Sequence, residues 1–338
     1  MNESILKQLT KDYALKRQRA IQNSKKIINE LYENNPKLLE LKSMKDMLAI
    51  QTSKKLLNCD ELSKQIELEN LEIKINDIEK KINKELAKMD INSDDLKPKF
   101  ECELCEDTGL LTYKNETKYC SCIMQKVIDK AYNQSSVYKL NQEKFECFDI
   151  GYYSSKTDAK KYGIDKSPLE NIQKVKEVSM DFIKNMNSIN QKNLLFTGNT
   201  GLGKTFLANC IANEVIKNGN TVVYQTAPVL MDLILEYKFS YNKDSINKEQ
   251  YNRIFEVDLL IIDDLGTETM SNHKFTELFN IINTRLLNNK KTIISTNLTI
   301  SELYKEYDER VMSRLIGNFL ICKFIGEDIR LKKKKIGI

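Results

Sequence analysis

"NLLFTGNTGLGKTFLANC" runs from Asn193 to Cys210. A short apolar run enters a glycine-rich turn, and residues suited to a helix follow. Gly198 to Thr205 match G-x-x-x-x-G-K-[ST] at every position. Glycines at 198, 201 and 203 let successive backbone N–H groups curl around phosphate oxygens, with Asn199, Thr200 and Leu202 between them. The N-terminus of the following helix adds a field that favours anions. Lys204 supplies a point charge to the phosphates, and Thr205 offers a hydroxyl to Mg²⁺. A chance glycine loop would lack this strand–loop–helix setting. The stretch therefore predicts an ATP site with Mg²⁺.

Outward from this loop, short apolar runs alternate with helical segments: "TVVYQT", "VDLLIIDDLG", "KTIISTN" and "FLICKFIG". Strands apolar on both faces and separated by helices predict an α/β fold with a central parallel sheet. The run "VDLLIIDDLG" closes on Asp263 and Asp264. At a strand tip Asp263 is expected to hold Mg²⁺ through water, and Asp264 to orient or deprotonate the attacking water. Many ATPases of this architecture carry Glu at the second position, and Asp264 is shorter by one methylene. The run "KTIISTN" ends in Asn297, which can hold the water or sense the γ-phosphate. Capping of the next helix is its other reading, although Thr299 or Ser301 can serve there instead. Arg310 and Arg314 lie one helical turn apart, and Arg330 follows the last strand. Each can stabilise charge on a transferring phosphoryl group, or be an ordinary solvated arginine.

Towards the N-terminus the character changes. Residues 1–95 contain no glycine and one proline, Pro36. Leu68, Leu71, Ile75, Ile78, Ile82, Leu86 and Met89 recur at steps of three and four, which puts one apolar stripe on one helix face. We read an α-helical arm, a hairpin or small bundle, that either binds a partner or is a bundle with no activity of its own. Residues 96–130 hold "CELCEDTGLLTYKNETKYCSC", with Cys102, Cys105, Cys120 and Cys122. A hairpin turning at Asn115 would return the second pair to the first. Four thiolates suit tetrahedral Zn²⁺ in a small zinc-ribbon-like module, with an iron–sulfur cluster or free thiols as the alternatives. Cys59, Cys147, Cys210 and Cys322 lie apart and are expected to be core residues. Residues 131–167 read as a polar linker, and 168–338 as the ATPase domain.

Of the 338 residues 41% are hydrophobic and 30% charged, and the net charge of +5 permits a nucleic-acid partner without demanding one. No run approaches the roughly 18 apolar residues of a membrane span, and the first twenty residues lack an apolar core of a secretory signal. A cytoplasmic location is expected, where clustered cysteines suggest metal before disulfide.

From about Phe145 to Leu331, the motifs "GNTGLGKT", "VDLLIIDDLGTE", "IISTNL", "DERVMSRL" and "GEDIR" follow in order. In this the chain resembles the AAA+ P-loop ATPase domain of bacterial replicative-helicase loaders of the DnaC/DnaI type. The resemblance implies that Asp263 and Asp264 form the Walker B pair and that Asn297 is sensor 1. It makes Arg314 an arginine finger acting on ATP of an adjacent subunit, and Arg330 sensor 2 acting in cis. It implies an N-terminal region with a zinc module that binds the hexameric replicative DNA helicase, self-association through the ATPase domain, and nucleoid association. It also implies a helical insertion, here "LMDLILEYKFSYNKDSINKEQYNR", that helps hold single-stranded DNA. Phe239 falls where an aromatic of that insertion would sit, and Ser271 and His273 are candidates to face DNA. Lys238 and Lys243 can neutralise phosphates, and a core position is the other reading of Phe239. The function expected is ATP-dependent helicase loading at initiation of replication. The alternatives are a transposition helper of the IstB type, acting on duplex DNA, and a nucleotide-gated adaptor with little hydrolysis.

Overall fold

The computed structural model describes residues 3–56, 61–113, 116–132, 143–239, 245–268 and 272–336. Ser271, Lys243, Cys59 and the hairpin tip at Asn115 lie outside them, as does the side chain of His273. The chain divides into two compact units, Thr10–Thr108 and Gly109–Ile338 with Met1–Leu9.

The first unit is helical. It contains most of α1 (Glu3–Glu33), with α2 (Pro36–Leu56) and α3 (Glu61–Ala87). The expected stripe on α3 is buried only in its C-terminal half: Ile78, Ile82 and Leu86 pack with Leu38 of α2. Leu68 is half exposed. Ion pairs Lys45–Glu79 at 2.6 Å and Lys37–Glu85 at 2.8 Å tie α2 to α3. Water screens these surface pairs, so the apolar seam dominates.

The second unit opens with an antiparallel pair, β1 (Leu110–Tyr113) and β2 (Glu116–Tyr119), in register Leu110↔Tyr119 to Tyr113↔Glu116. Next come α4 (Ser121–Tyr132), the single turn α5 (Ala159–Tyr162) and α6 (Pro168–Asn185). The helix α6 starts where "SPLE" says it must. Ser167 and Glu170 form a reciprocal capping box, and Pro168 occupies the first turn.

A five-stranded parallel sheet follows: β3 (Asn193–Thr197), β4 (Val222–Thr226), β5 (Leu259–Leu265), β6 (Lys291–Thr296) and β7 (Phe319–Lys323). The order across it is β4-β5-β6-β3-β7. Between the strands lie α7 (Lys204–Lys217), α8 (Ala227–Phe239), α9 (Ser245–Glu256), α10 (Asn272–Leu287), α11 (Ile300–Glu306) and α12 (Glu309–Asn318), and α13 (Ile329–Ile336) ends the chain. All five strands coincide with the apolar runs read in the sequence. Alternate residues feed opposite layers. Leu194, Phe196 and Ile261 join α6 and α7 on one face, whereas Leu195, Leu260 and Ile262 join α8, α10 and α12 on the other. Burial on both faces explains why these strands are continuously apolar rather than alternating.

Two polar side chains finish the scaffold. Gln125 of α4 pairs with the edge strand β4, donating to Val222 O at 2.9 Å and accepting from Val222 N at 2.8 Å. Arg285 of α10 has no exposed surface. It donates to Thr292 Oγ1 at 3.1 Å, Ile254 O at 2.7 Å and Lys291 O at 2.6 Å. Burial pushes its guanidinium down to about 9, opposed by Asp258, so it is still charged at neutral pH.

Candidate functional site

Parallel strands end together, and here β3, β5 and β6 deliver their C-terminal ends to one edge of the sheet. The register sets Thr197 and Leu265 both opposite Thr296. Gly198, the two aspartates and Asn297 therefore meet in space although the sequence scatters them over a hundred residues.

The loop from Gly198 to Gly203 has no room for side chains at its glycines. At Gly198, φ is +138° and a Cβ would come 2.4 Å from Phe324 O. At Gly201, φ is +76° and a Cβ would strike the Asp328 carboxylate at 2.1 Å. The same loop is held from outside: Ile329 N donates to Gly201 O at 2.9 Å and the Tyr153 hydroxyl to Leu202 O at 2.8 Å. The cradle for phosphate is thus pre-shaped by Tyr153 from before the sheet and by Phe324 to Ile329 from after its last strand.

Lys204 is buried at the head of α7. Its Nζ donates to Gly198 O at 2.5 Å, Asn199 O at 2.8 Å and Asn297 Oδ1 at 2.8 Å. Burial lowers its pKa to about 8; Asp264 and Asp263 oppose the shift and Arg330 adds to it. Thr205 Oγ1 donates to Asp263 Oδ2 at 3.0 Å. Asp263 is buried, and Ser295 and Tyr224 hydroxyls also donate to its carboxylate. Asp264 sits at a strand irregularity with φ +56°, half-buried, within 3.4 Å of Asn297 Nδ2. Burial and then the neighbouring Asp263 raise its pKa, while Lys204 opposes them. A carboxyl so held is a better proton acceptor than an exposed aspartate. Thr299, not Asn297, caps α11, in a box with Glu302.

The donor set fits a magnesium nucleotide: a hydroxyl and a carboxylate adjoin a lysine in a glycine cradle. Arg330 lines the same cleft. Arg314 does not. Its Nε donates to Asn283 Oδ1 at 3.0 Å, and its guanidinium lies 5.9 Å from the Phe279 ring centre. Arg310, exposed, lies over the same ring at 5.6 Å and pairs with Asp308.

Residues 131–167, which read as a polar linker, supply a wall of the cleft through Cys147, Phe148, Tyr152 and Tyr153. Phe148 and Tyr153 are buried in the core, and Phe148 packs on Phe206 of α7 with ring centres 5.7 Å apart. Cys147 is exposed rather than core, whereas Cys210 and Cys322 are buried. Phe239 ends α8 with 63% of its surface exposed, so the core reading fails. Lys238 is engaged by Glu277 in an ion pair, which leaves it a poor candidate for phosphate.

The Sγ atoms of Cys102, Cys105, Cys120 and Cys122 lie within 4.8 Å of one another. Tetrahedral zinc at about 2.3 Å from sulfur needs sulfurs about 3.8 Å apart, so the donor set fits with small adjustment. The first pair lies on a tight knuckle in which the Asp107 carboxylate accepts from Glu101 N at 2.9 Å and Cys102 N at 3.0 Å. Cys120 N donates to Gly109 O at 2.8 Å, and Cys122 lies in the first turn of α4. Cys122→Ser is expected to reduce zinc, measured by mass spectrometry or atomic absorption, from one per chain to well below half. Retention of one zinc per chain would remove Cys122 from the ligand set.

A family model described as "IstB-like ATP binding protein" matches residues 155–336. The replicative helicase loader DnaC of Escherichia coli K12 is 32% identical over 143 residues, which cover 42% of this chain and 57% of the relative. The loader of the same name from Buchnera aphidicola subsp. Baizongia pistaciae is 31% identical over 164 residues, 48% of this chain and 66% of the relative. The chain thus spans little more than half of the first relative. A crystal structure of the DnaC helicase loader is 23% identical and aligns with a TM-score of 0.42, covering 52% of this chain and 96% of that one. Among the described residues, no helix is long and apolar enough to cross a membrane.

Proposed function

The chain belongs to the family of IstB-like ATP binding proteins, and from that premise we propose that it is an ATP-dependent loader of the replicative DNA helicase. The observation that carries this reading is the meeting of Lys204, Thr205, Asp263, Asp264 and Asn297 at one sheet edge, joined by Arg330. The stretch that is 32% identical to a replicative helicase loader supports the choice of partner.

In this reading Lys204 exchanges its backbone carbonyls for phosphate oxygens. Thr205 and Asp263 hold Mg²⁺, which neutralises phosphate charge when bound. Asp264 takes the proton of the attacking water, and Asn297 fixes that water while linking it to Lys204. Asp264 is shorter than glutamate by one methylene, which makes slow turnover the expectation. Arg330 acts within the chain. Arg314, held towards Asn283 and away from its own cleft, serves the nucleotide of an adjacent copy. The exposed ring of Phe239, with Ser271 and His273, contacts single-stranded DNA, where stacking tolerates any base. The cysteines bind structural zinc, and residues 1–95 with the zinc module hold the helicase.

Co-precipitation of the full chain with the replicative helicase of the same cell tests this. A complex that needs residues 1–140, together with ATP turnover that responds to single-stranded DNA, is the expected result. No complex, with binding to duplex DNA and a transposase instead, would replace it by the transposition-helper reading.

A further inference from the structure

The Asp263 carboxylate has more partners than a strand-end aspartate requires. It is 3% exposed and takes hydroxyl hydrogen bonds from three elements: Thr205 of α7, Ser295 of β6 and Tyr224 of β4. Thr205 and Ser295 lie within motifs that the sequence advertises. Tyr224 lies within none. It sits in β4 opposite Ile261, two residues short of the level of Asp263, and reaches up along the sheet. Its ring is 6% exposed and packs in the apolar layer with Phe196 and Ile261. Phenylalanine would fill that space equally well. The hydroxyl is therefore the part that needs a reason, and its hydrogen bond goes to Oδ2 of Asp263, the oxygen that also accepts from Thr205.

We propose that Tyr224 is a positioning residue for Mg²⁺ at the ATP site: its hydroxyl fixes the plane of the Asp263 carboxylate so that Oδ2 faces Thr205. The proposal rests on the cleft being a magnesium-nucleotide site. Tyr224 and Ser295 grip the carboxylate from the two strands that flank β5, which prevents rotation about its χ2. A carboxylate held by fixed donors needs no reorganisation when the ion arrives.

The test is Tyr224→Phe in the full chain, read by a fluorescent ATP analogue over a Mg²⁺ titration and again in excess EDTA. Loss of one charge-assisted hydrogen bond predicts about a tenfold rise in half-saturating Mg²⁺. Metal-free nucleotide affinity should stay within about twofold, and kcat should recover at high Mg²⁺. An unchanged Mg²⁺ dependence overturns the proposal. So does an equal loss with and without metal, which would mark a merely structural hydroxyl. If Tyr224→Phe does not keep its circular dichroism, Ser295→Ala takes its place with the same readout, and no shift there also overturns it. Failure of the underlying reading looks different, because the unaltered chain would then bind no nucleotide even at saturating Mg²⁺.

Discussion

Lys204→Ala lowers ATP affinity by about a hundredfold and abolishes turnover; this is the largest functional effect expected of any single change in the cleft. The argument begins with the three oxygens that surround Nζ, from Gly198, Asn199 and Asn297. An ammonium in that cage is aimed at the place where the glycine loop presents its N–H groups. Charge-assisted bonds to phosphate contribute roughly 1.5–3 kcal/mol each, so two of them amount to at least a factor of about 100. The same lysine sets a pH dependence. Burial has lowered its pKa to about 8, below its unfolded value. Below that pH the charge is already present. Above it a proton must be taken up before phosphate is gripped, so affinity should fall as pH rises from 7 to 9. Calorimetry in buffers of different ionisation enthalpy would show proton uptake above pH 8 in the unaltered chain and none in Lys204→Ala. Unchanged nucleotide binding in Lys204→Ala would mean that the cleft is not the site.

Arg285→Met has the largest effect expected on stability. The guanidinium is fully buried and gives three hydrogen bonds that bring together α10, the start of β6 and the end of α9. No carboxylate is among those partners. Methionine keeps much of the volume and strands two carbonyls and the Thr292 hydroxyl in the core. Each such orphan costs about 1–3 kcal/mol, and the relief of charge burial offsets part of the sum. We expect a net loss of about 4 kcal/mol, seen as a lower urea midpoint and a melting temperature about 10 °C lower. Arg285→Lys should recover less than half of it, because one ammonium cannot span the three acceptors. A midpoint within experimental error of the unaltered chain would show that the network contributes nothing.

These two residues mark what a sequence can and cannot display. Lys204 is legible because phosphate chemistry demands a fixed spacing along a continuous chain. The strands are legible because a sheet covered on both faces leaves only apolar residues. Asp263, Asp264 and Asn297 follow as the polar residues that end apolar runs. Arg285 has no such signature: it stands on an otherwise ordinary helix, and only the fold shows that α9 and β6 leave carbonyls pointing at it. Tyr224 looks like a strand aromatic, and its hydroxyl acquires a purpose only when β4 is laid beside β5. Phe148 and Tyr153 were concealed for another reason. They lie in short turns without periodicity, and their partners Phe206 and Leu202 lie some fifty residues on. Turn-rich composition signals exposure, and here it misled.

The clamp of Gln125 on Val222 bears on how pieces of this protein behave. β4 is the outermost strand on its side of the sheet, and such a strand is a template on which another chain can add itself. One glutamine imitates a strand residue by satisfying both the N–H and the C=O of Val222, while Ile128 of the same helix covers the apolar layer behind. A fragment cut to begin at α6 would keep every nucleotide-loop motif yet bare this edge. Its tendency to form β-rich aggregates would come from a missing helix, not from a fault in the sheet itself. For anyone dissecting the molecule, the cut belongs before Ser121.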